Sequence, residues 1–412
     1  MLCNNKEQVL IMLKFYKLKD YNFRLVLWLI MISGIGVLLV GSAMESQQIK
    51  QLAGVILGLI VMVIISLMDY SWLLNFYWFI YFGNIIMLLF VFAVGDSSGG
   101  ATRWLDLGFV RFQPTELSKI LLIMFFAKYL MIHEDDLNTW KTLISSLIIL
   151  LIPLYLIKIQ PDLKNTITVT VVFCILLYIA GLSYKIIGGV LGVVIPVFAI
   201  LMFLITQTDI EIVKPYQKIR IMAWMNPEDD QYKDKVIQQS NSITAIGSGQ
   251  LTGKGLNTNE VSSANKGNFV SQIHTDFIFA VAGEELGFIG SVIIVVLLFL
   301  ISAECIRIGK KAKDLSGTIL CCGIGSVVGI QSFINICVAT GLFPNTGTPL
   351  PFVSYGLTSI VSLYIGMGLV LNVGLQNRNY IGGETNEHRI YRSRIEKKAS
   401  SEFLHRLQRN SK

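Results

Sequence analysis

The chain has 412 residues, of which 53% are hydrophobic and 15% charged, and its mean hydropathy is +0.61. A soluble domain carries about 25% charged residues, so a soluble globular protein is excluded and a polytopic membrane protein is expected. The formal charge of +7 gathers in segments that flank apolar runs, which points to membrane lipids with anionic headgroups as partners and to no nucleic acid.

Taken in chain order, the first apolar run starts near Leu25 after 24 mixed residues, with no small-residue cleavage site behind it, so no cleavable signal is expected. Ten spans are predicted, near residues 25–44, 52–68, 72–94, 117–132, 142–160, 165–182, 186–206, 275–302, 315–343 and 357–374. Each has the length needed to cross about 30 Å of hydrocarbon. The fourth and sixth are the most polar, with Lys119, Lys128 and several threonines. The fold class is therefore all-α, with about ten transmembrane helices.

Lysine and arginine cluster in the N-terminal segment (Lys6, Lys14, Lys17, Lys19, Arg24), after the eighth span (Arg307, Lys310, Lys311, Lys313) and in the tail. An even span count puts these three clusters on one side, which the positive-inside rule makes cytoplasmic. The expected layout is a cytoplasmic segment 1–24, a membrane domain 25–374 that includes a long external loop 207–274, and a basic cytoplasmic tail 375–412. That loop carries seven basic and seven acidic residues. It also holds apolar patches such as "IRIMAW" (219–224), so it is expected to be ordered, partly helical and to lie on the membrane face.

The six cysteines avoid the candidate external loops, which argues against extracellular disulfides. Four histidines without HExxH or CxxC spacing give no zinc site, and no metal ligands are assigned.

The unusual polar residues gather on the outer side. In "GDSSGGATRWLDLGFVRFQPTELSK" (95–119), Trp104 suits the interface, and Arg103 and Arg111 either snorkel or offer planar forks for phosphate. Glu116 and Lys119 continue into an apolar helix, where ionisable groups are functional by default because burying them is costly. In "QPDL" (160–163), Asp162 is either a helix cap or a site residue. "GSGQLTGKGL" (247–256) lacks Walker spacing, yet a backbone nest with Lys254 beside it could take an anion. "GLFPNTGTPLPFVSYG" (341–356) holds three prolines and reads as a rigid cap or re-entrant turn, tolerable at depth only if shielded by protein or lining a wet cavity.

"HTDFIFAVAGEELGFIG" (274–290) places Asp276, Glu284 and Glu285 at the head of a span. A helix starting near Thr275 would set Asp276 and Glu284 on one broad face, about 12 Å apart along the axis, with Glu285 roughly opposite. The pattern predicts a charged cavity opening outward.

Together, "RWLDLG…QPTELSK", "QPDL", "QSNSITAIGSG", "HTDFIFAVAGEELGFIG" and "TGTPLPFVSYG" resemble the signature blocks of the SEDS family, which includes RodA, FtsW and SpoVE. They occur in the family's order across residues from about 24 to 374. The resemblance implies a ten-span SEDS-type fold and a peptidoglycan glycosyltransferase that polymerises lipid II on the outer face with a class B penicillin-binding protein. The start "FYKLKDYNFRLVLWLIMISGIGVLLVGSA" (15–43) is most similar to the RodA, cell-elongation branch. By this resemblance Asp276 matches the essential acid and serves as base. Arg103, Trp104, Glu116, Lys119, Asp162, Lys254 and Glu284 become candidate substrate-binding residues. A lipid diphosphate leaving group needs positive charge, from arginine, lysine or a divalent cation such as Mg2+.

The chain departs from the family pattern at Gln250, at Lys164 and Asn165, at Leu357 and Thr358, and at Val270 and Ser271. Each lost glycine removes a backbone freedom, so a divergent paralogue is one reading. Rival readings are an FtsW- or SpoVE-like division or sporulation paralogue, a flippase or transporter with Gln331 and Asn335 in its path, and a non-catalytic scaffold. Charges at the outer ends of the spans favour an enzyme over a transporter, whose site lies near the midplane.

Overall fold

The computed structural model describes residues 21–98, 101–106, 111–207, 215–226, 229, 233–257 and 273–376. Residues 1–20 and 377–412, and with them most of the basic terminal segments, lie outside the described residues, as do Val270 and Ser271. The helices are α1 (Phe23–Ala43), α2 (Glu45–Ser66), a single short turn α3 (Tyr70–Leu74), α4 (Tyr77–Val94), α5 (Pro114–Ile132), α6 (Trp140–Ile159) and α7 (Leu163–Ile179). They continue with α8 (Tyr184–Gln207), α9 (Pro215–Met225), α10 (Lys233–Ser248), α11 (Ile278–Lys310), α12 (Leu315–Ala339) and α13 (Leu357–Leu375).

Ten of these correspond to the ten expected spans, and seven are long and apolar enough to cross a membrane: α1, α2, α4, α6, α11, α12 and α13. The other three are α5, which carries Glu116, Lys119 and Lys128, the 17-residue α7, and α8, apolar over Tyr184–Val194. Helix starts follow local chemistry. Asn22, Asp69, Thr139, Asp162 and Asp314 each cap the helix that follows with a side-chain oxygen. Pro114 opens α5, where its missing N–H is harmless.

The core is the contact of α13 with α2 and of α11 with α12. Gly58 lets the buried Tyr364 ring lie directly on α2, and the Tyr364 hydroxyl shares a 2.8 Å hydrogen bond with Ser33 of α1. Asn372 ties the other end, accepting from Tyr70 N at 2.8 Å and donating to Ser66 O at 2.8 Å. These bonds give buried polar groups partners that lipid would not supply. Leu27, Ile30, Phe79 and Ile86 by contrast stay exposed, as a lipid-facing belt requires.

One loop differs from the sequence expectation. The loop after α4 is a small antiparallel meander, β1 (Asp96–Ser98), β2 (Ala101–Asp106) and β3 (Arg111–Phe112), with Asp96 opposite Trp104 and Leu105 opposite Phe112. The long external loop is partly helical, as expected, and α10 packs on α11 and α12.

Candidate active site

The turn at 273–277 precedes α11, which starts at Ile278 and not at Thr275. The single-face geometry expected for Asp276 and Glu284 therefore does not apply, because Asp276 is not in the helix. Three backbone carbonyls hold the turn. His274 O accepts from Tyr355 N at 3.0 Å, Thr275 O from Ser354 Oγ at 2.6 Å, and Asp276 O from Asn335 Nδ2 at 2.8 Å. Asn335 also donates to Thr348 O at 2.7 Å. It thus clasps α12 to the turn at 273–277 and to the 341–356 segment.

The segment 341–356 is the shielded cap that its prolines predict, with Leu350, Phe352, Val353 and Ser354 buried. Gly347 has φ +71°, and a Cβ there would stand 3.0 Å from Asp276 Oδ2. A side chain in this left-handed conformation would be strained and would push the carboxylate aside by a few tenths of an ångström. Asp276 is half-buried, and among the described residues no hydrogen bond or ion pair takes its carboxylate. Burial pushes the neighbouring His274 imidazole below its usual range, and the Asp276 charge offsets this in part.

A second cluster packs beside this turn. Lys119 Nζ donates to Glu116 Oε2 at 3.0 Å, and both side chains are buried. Asp162 is fully buried and caps α7, accepting from Asn165 N at 3.3 Å. Its Oδ2 also takes Asn165 Nδ2 at 2.8 Å, Gln113 Nε2 at 3.1 Å and Thr115 Oγ1 at 3.2 Å. Asn165 Nδ2 further approaches Glu116 Oε1 at 3.4 Å. Arg103 donates from Nε to Gln160 O at 2.9 Å and from Nη2 to Pro161 O. Its fork fastens the 160–162 turn to β2, which also carries the half-buried Trp104.

Lys164 joins the two groups. Its Nζ donates to Gly347 O at 2.5 Å, and it lies within electrostatic reach of Glu116. Sequence reasoning met Lys164 only as a departure from a family pattern and missed it as a site residue. The available signal was a lysine two positions after Asp162 at the mouth of a span.

The glutamates of α11 belong to a different device. Gly287 breaks α11 with φ 65° and ψ −164°. At this break Lys254 N donates to Glu284 O and Gly255 N to Glu285 O, both at 3.0 Å, while Phe288 N and Ile289 N donate back to Gln250 O and Leu251 O. Two amides of "GSGQLTGKGL", where a backbone nest for an anion was one reading, are thus spent on α11. Lys254 Nζ pairs with Glu284 Oε1 at 2.8 Å, and Ser42 Oγ donates to Glu285 Oε1. Both glutamates are buried on this latch.

Among the described residues no group of three His, Cys, Asp or Glu side chains converges as a metal site would. The turn offers one carboxylate from this chain. A divalent cation such as Mg2+ would fit there by taking its remaining ligands from substrate phosphates and water.

These features define a class, a multi-pass helical membrane protein with a half-buried carboxylate held at one end of its bundle. The chain belongs to the FtsW/RodA/SpoVE family, whose model, described as "Cell cycle protein", matches residues 21–379. Peptidoglycan glycosyltransferase MrdB of Escherichia coli K12 is 34% identical over 333 residues, 80% of this chain and 85% of that one. "Probable peptidoglycan glycosyltransferase FtsW" of Escherichia coli O6:H1 is 32% identical over 300 residues, 72% and 69% of the two chains. Of solved structures, a chain of a peptidoglycan synthase complex aligns with TM-score 0.70 at 26% identity, covering 88% of this chain and 99% of that one. The rod shape determining protein RodA of Thermus thermophilus aligns with TM-score 0.64 at 25% identity, covering 87% and 98%. The protein is accordingly a multi-pass protein of a bacterial cytoplasmic membrane.

Proposed function

We propose that this protein polymerises lipid II into glycan strands at the outer face of the cytoplasmic membrane, with Asp276 as general base. That it is a peptidoglycan glycosyltransferase follows from its family and from relatives so named. The observation that carries the assignment to Asp276 is a half-buried carboxylate that takes no hydrogen bond or ion pair among the described residues, on a turn braced by Asn335 and Ser354 and cleared by Gly347.

In this reading the acceptor sugar hydroxyl gives its proton to Asp276 as its oxygen bonds the donor's anomeric carbon. The bond from that carbon to the lipid diphosphate breaks, and the diphosphate leaves with the electron pair. General-base help of this kind is worth about 10²–10⁴-fold. The departing charge needs a cation. Lys164, with one donor on Gly347 O, is better placed to give it than the candidates chosen from sequence. Arg103, Lys119 and Lys254 already serve the 160–162 turn, Glu116 and Glu284, so they act as positioning residues. Asp162, Glu116 and Glu284 likewise hold the frame, and Trp104 lies beside it.

A class B penicillin-binding protein is the partner this reading expects. Support comes from the structural neighbour drawn from a synthase complex that coordinates polymerization and crosslinking. The cytoplasmic placement of both termini rests on the basic flanks. A role in elongation and cell shape rests on the RodA-like start, and the comparable likeness to MrdB and FtsW leaves a division role as the alternative.

The deciding experiment is lipid II polymerisation by the purified complex carrying Asp276→Asn, run beside a lipid-scrambling assay on the same sample. Loss of polymer with an unchanged melting temperature is expected. Retained polymerisation removes Asp276 as base, and scrambling without polymerisation favours the flippase. A strain complemented by Asp276→Ala would favour the scaffold.

A further inference from the structure

At the end of the bundle remote from Asp276 an open cavity of about 400 Å³ lies between the start of α1 and the ends of α11 and α13. From the break at Gly287 to Glu304 alone, α11 runs about 25 Å at 1.5 Å per residue. Its polar lining is Asn22, Arg24, Glu304, Arg307 and Lys311.

Glu304 is only 4% exposed, and both its oxygens are engaged. Oε1 accepts from Asn22 Nδ2 at 2.7 Å and Oε2 from Arg307 Nη1 at 2.9 Å. The side chains of Arg24 and Lys311 make no hydrogen bond or ion pair among the described residues. Three cations therefore face one carboxylate whose own bonds are already made. Such a concave, net-positive site attracts an anion, and a guanidinium fork beside an ammonium suits a phosphate. The volume is that of an ordinary small-ligand site. Phe23, on the rim, is 62% exposed and offers apolar surface to an acyl chain. Half-buried Tyr21 shares a 3.1 Å hydrogen bond with Ser66, setting an aromatic ring at the same level.

We infer that this cavity binds a phosphate-bearing anion, namely the phosphodiester headgroup of an anionic membrane lipid held by Arg24, Arg307 and Lys311. Glu304 acts as the internal strut that aims Arg307 and Asn22. The rim favours a lipid over a free phosphate, since a soluble anion has no use for the exposed Phe23 ring.

The test is lipid retention by the delipidated full-length protein. It is measured by native mass spectrometry after exposure to phosphatidylglycerol or to phosphatidylethanolamine, with inorganic phosphate as competitor. Each basic residue near a charged surface is worth about fivefold in binding. Arg24→Gln with Lys311→Gln should therefore weaken phosphatidylglycerol retention by roughly 25-fold and leave phosphatidylethanolamine unchanged. If the double variant does not fold, Lys311→Gln alone should give about a fivefold loss. Equal retention by wild type and variant overturns the site. Displacement by millimolar inorganic phosphate overturns the lipid as its source, and so does phosphate binding with no preference for phosphatidylglycerol.

Discussion

Replacing Lys254 with methionine removes its ammonium but keeps the stem and the backbone bond from Lys254 N to Glu284 O. The perturbation thus isolates the 2.8 Å pair with Glu284. Glu284 is 1% exposed and the Lys254 side chain 21%, so the pair is nearly dry on one side and partly wet on the other. Breaking a buried pair by removing one partner costs about 3–5 kcal/mol, and partial exposure of Lys254 lowers the expectation to about 2–3 kcal/mol. At about 2 °C per kcal/mol the melting temperature should fall by about 5 °C. Glu284→Gln in the same chain removes the stranded charge and should recover about half of that loss. The assay is thermal unfolding of the four proteins of this cycle in detergent, with lipid II polymerisation measured well below the melting range. A positioning role predicts that activity returns with stability in the double variant. A double variant as stable as expected but still inactive would refute this reasoning and return Lys254 to the substrate's diphosphate.

Lys164→Gln should lower polymerisation by tenfold or more, in line with loss of a single charge stabiliser, with a modest fall in melting temperature, because a part-buried bond to Gly347 O and a favourable charge near Glu116 are lost; unchanged turnover removes Lys164 from the site. Gln250 holds φ +49°, a conformation that costs a side-chain-bearing residue about 1–2 kcal/mol. Gln250→Gly should therefore raise the melting temperature, and a fall would mean that the Gln250 side chain makes a contact of its own. Gly347→Ala should abolish polymerisation while the protein still folds, since its Cβ would press on Asp276 Oδ2. Burial lowers the folded-state pKa of His274 below the ordinary 6.5, so the unfolded chain binds more protons as pH falls through 6.5. Stability should drop on acidification in that window, and His274→Gln should flatten the drop in a melting series from pH 7.5 to 5.

Much of the fold was legible because lipid leaves few options. A run of some twenty apolar residues has to be a helix that satisfies its own backbone, and Asp162 could be read as a cap from its place just before a span. The buried charges that make up the candidate site stood out too, since charges entering a span contrast with an apolar background. The partners of those charges were not legible. Arg103 and Lys254 look like phosphate ligands in sequence, yet the structure gives them to Pro161 O and Glu284, residues 58 and 30 positions away. Helix phase failed for Asp276 and Glu284 because α11 starts only at Ile278, which leaves Asp276 in the turn before it.

The sequence by itself determined a multi-pass helical protein and its family, and it offered Asp276 as the candidate acid, because hydrophobic length and motif order are local properties of the chain. Only the tertiary structure decided that Gly347 clears the space around Asp276, that Lys164 reaches into that space, and that the two glutamates of α11 serve a latch. Those are contacts between segments far apart in the chain, and their geometry is fixed by how α5, α7, α11 and α12 pack against one another.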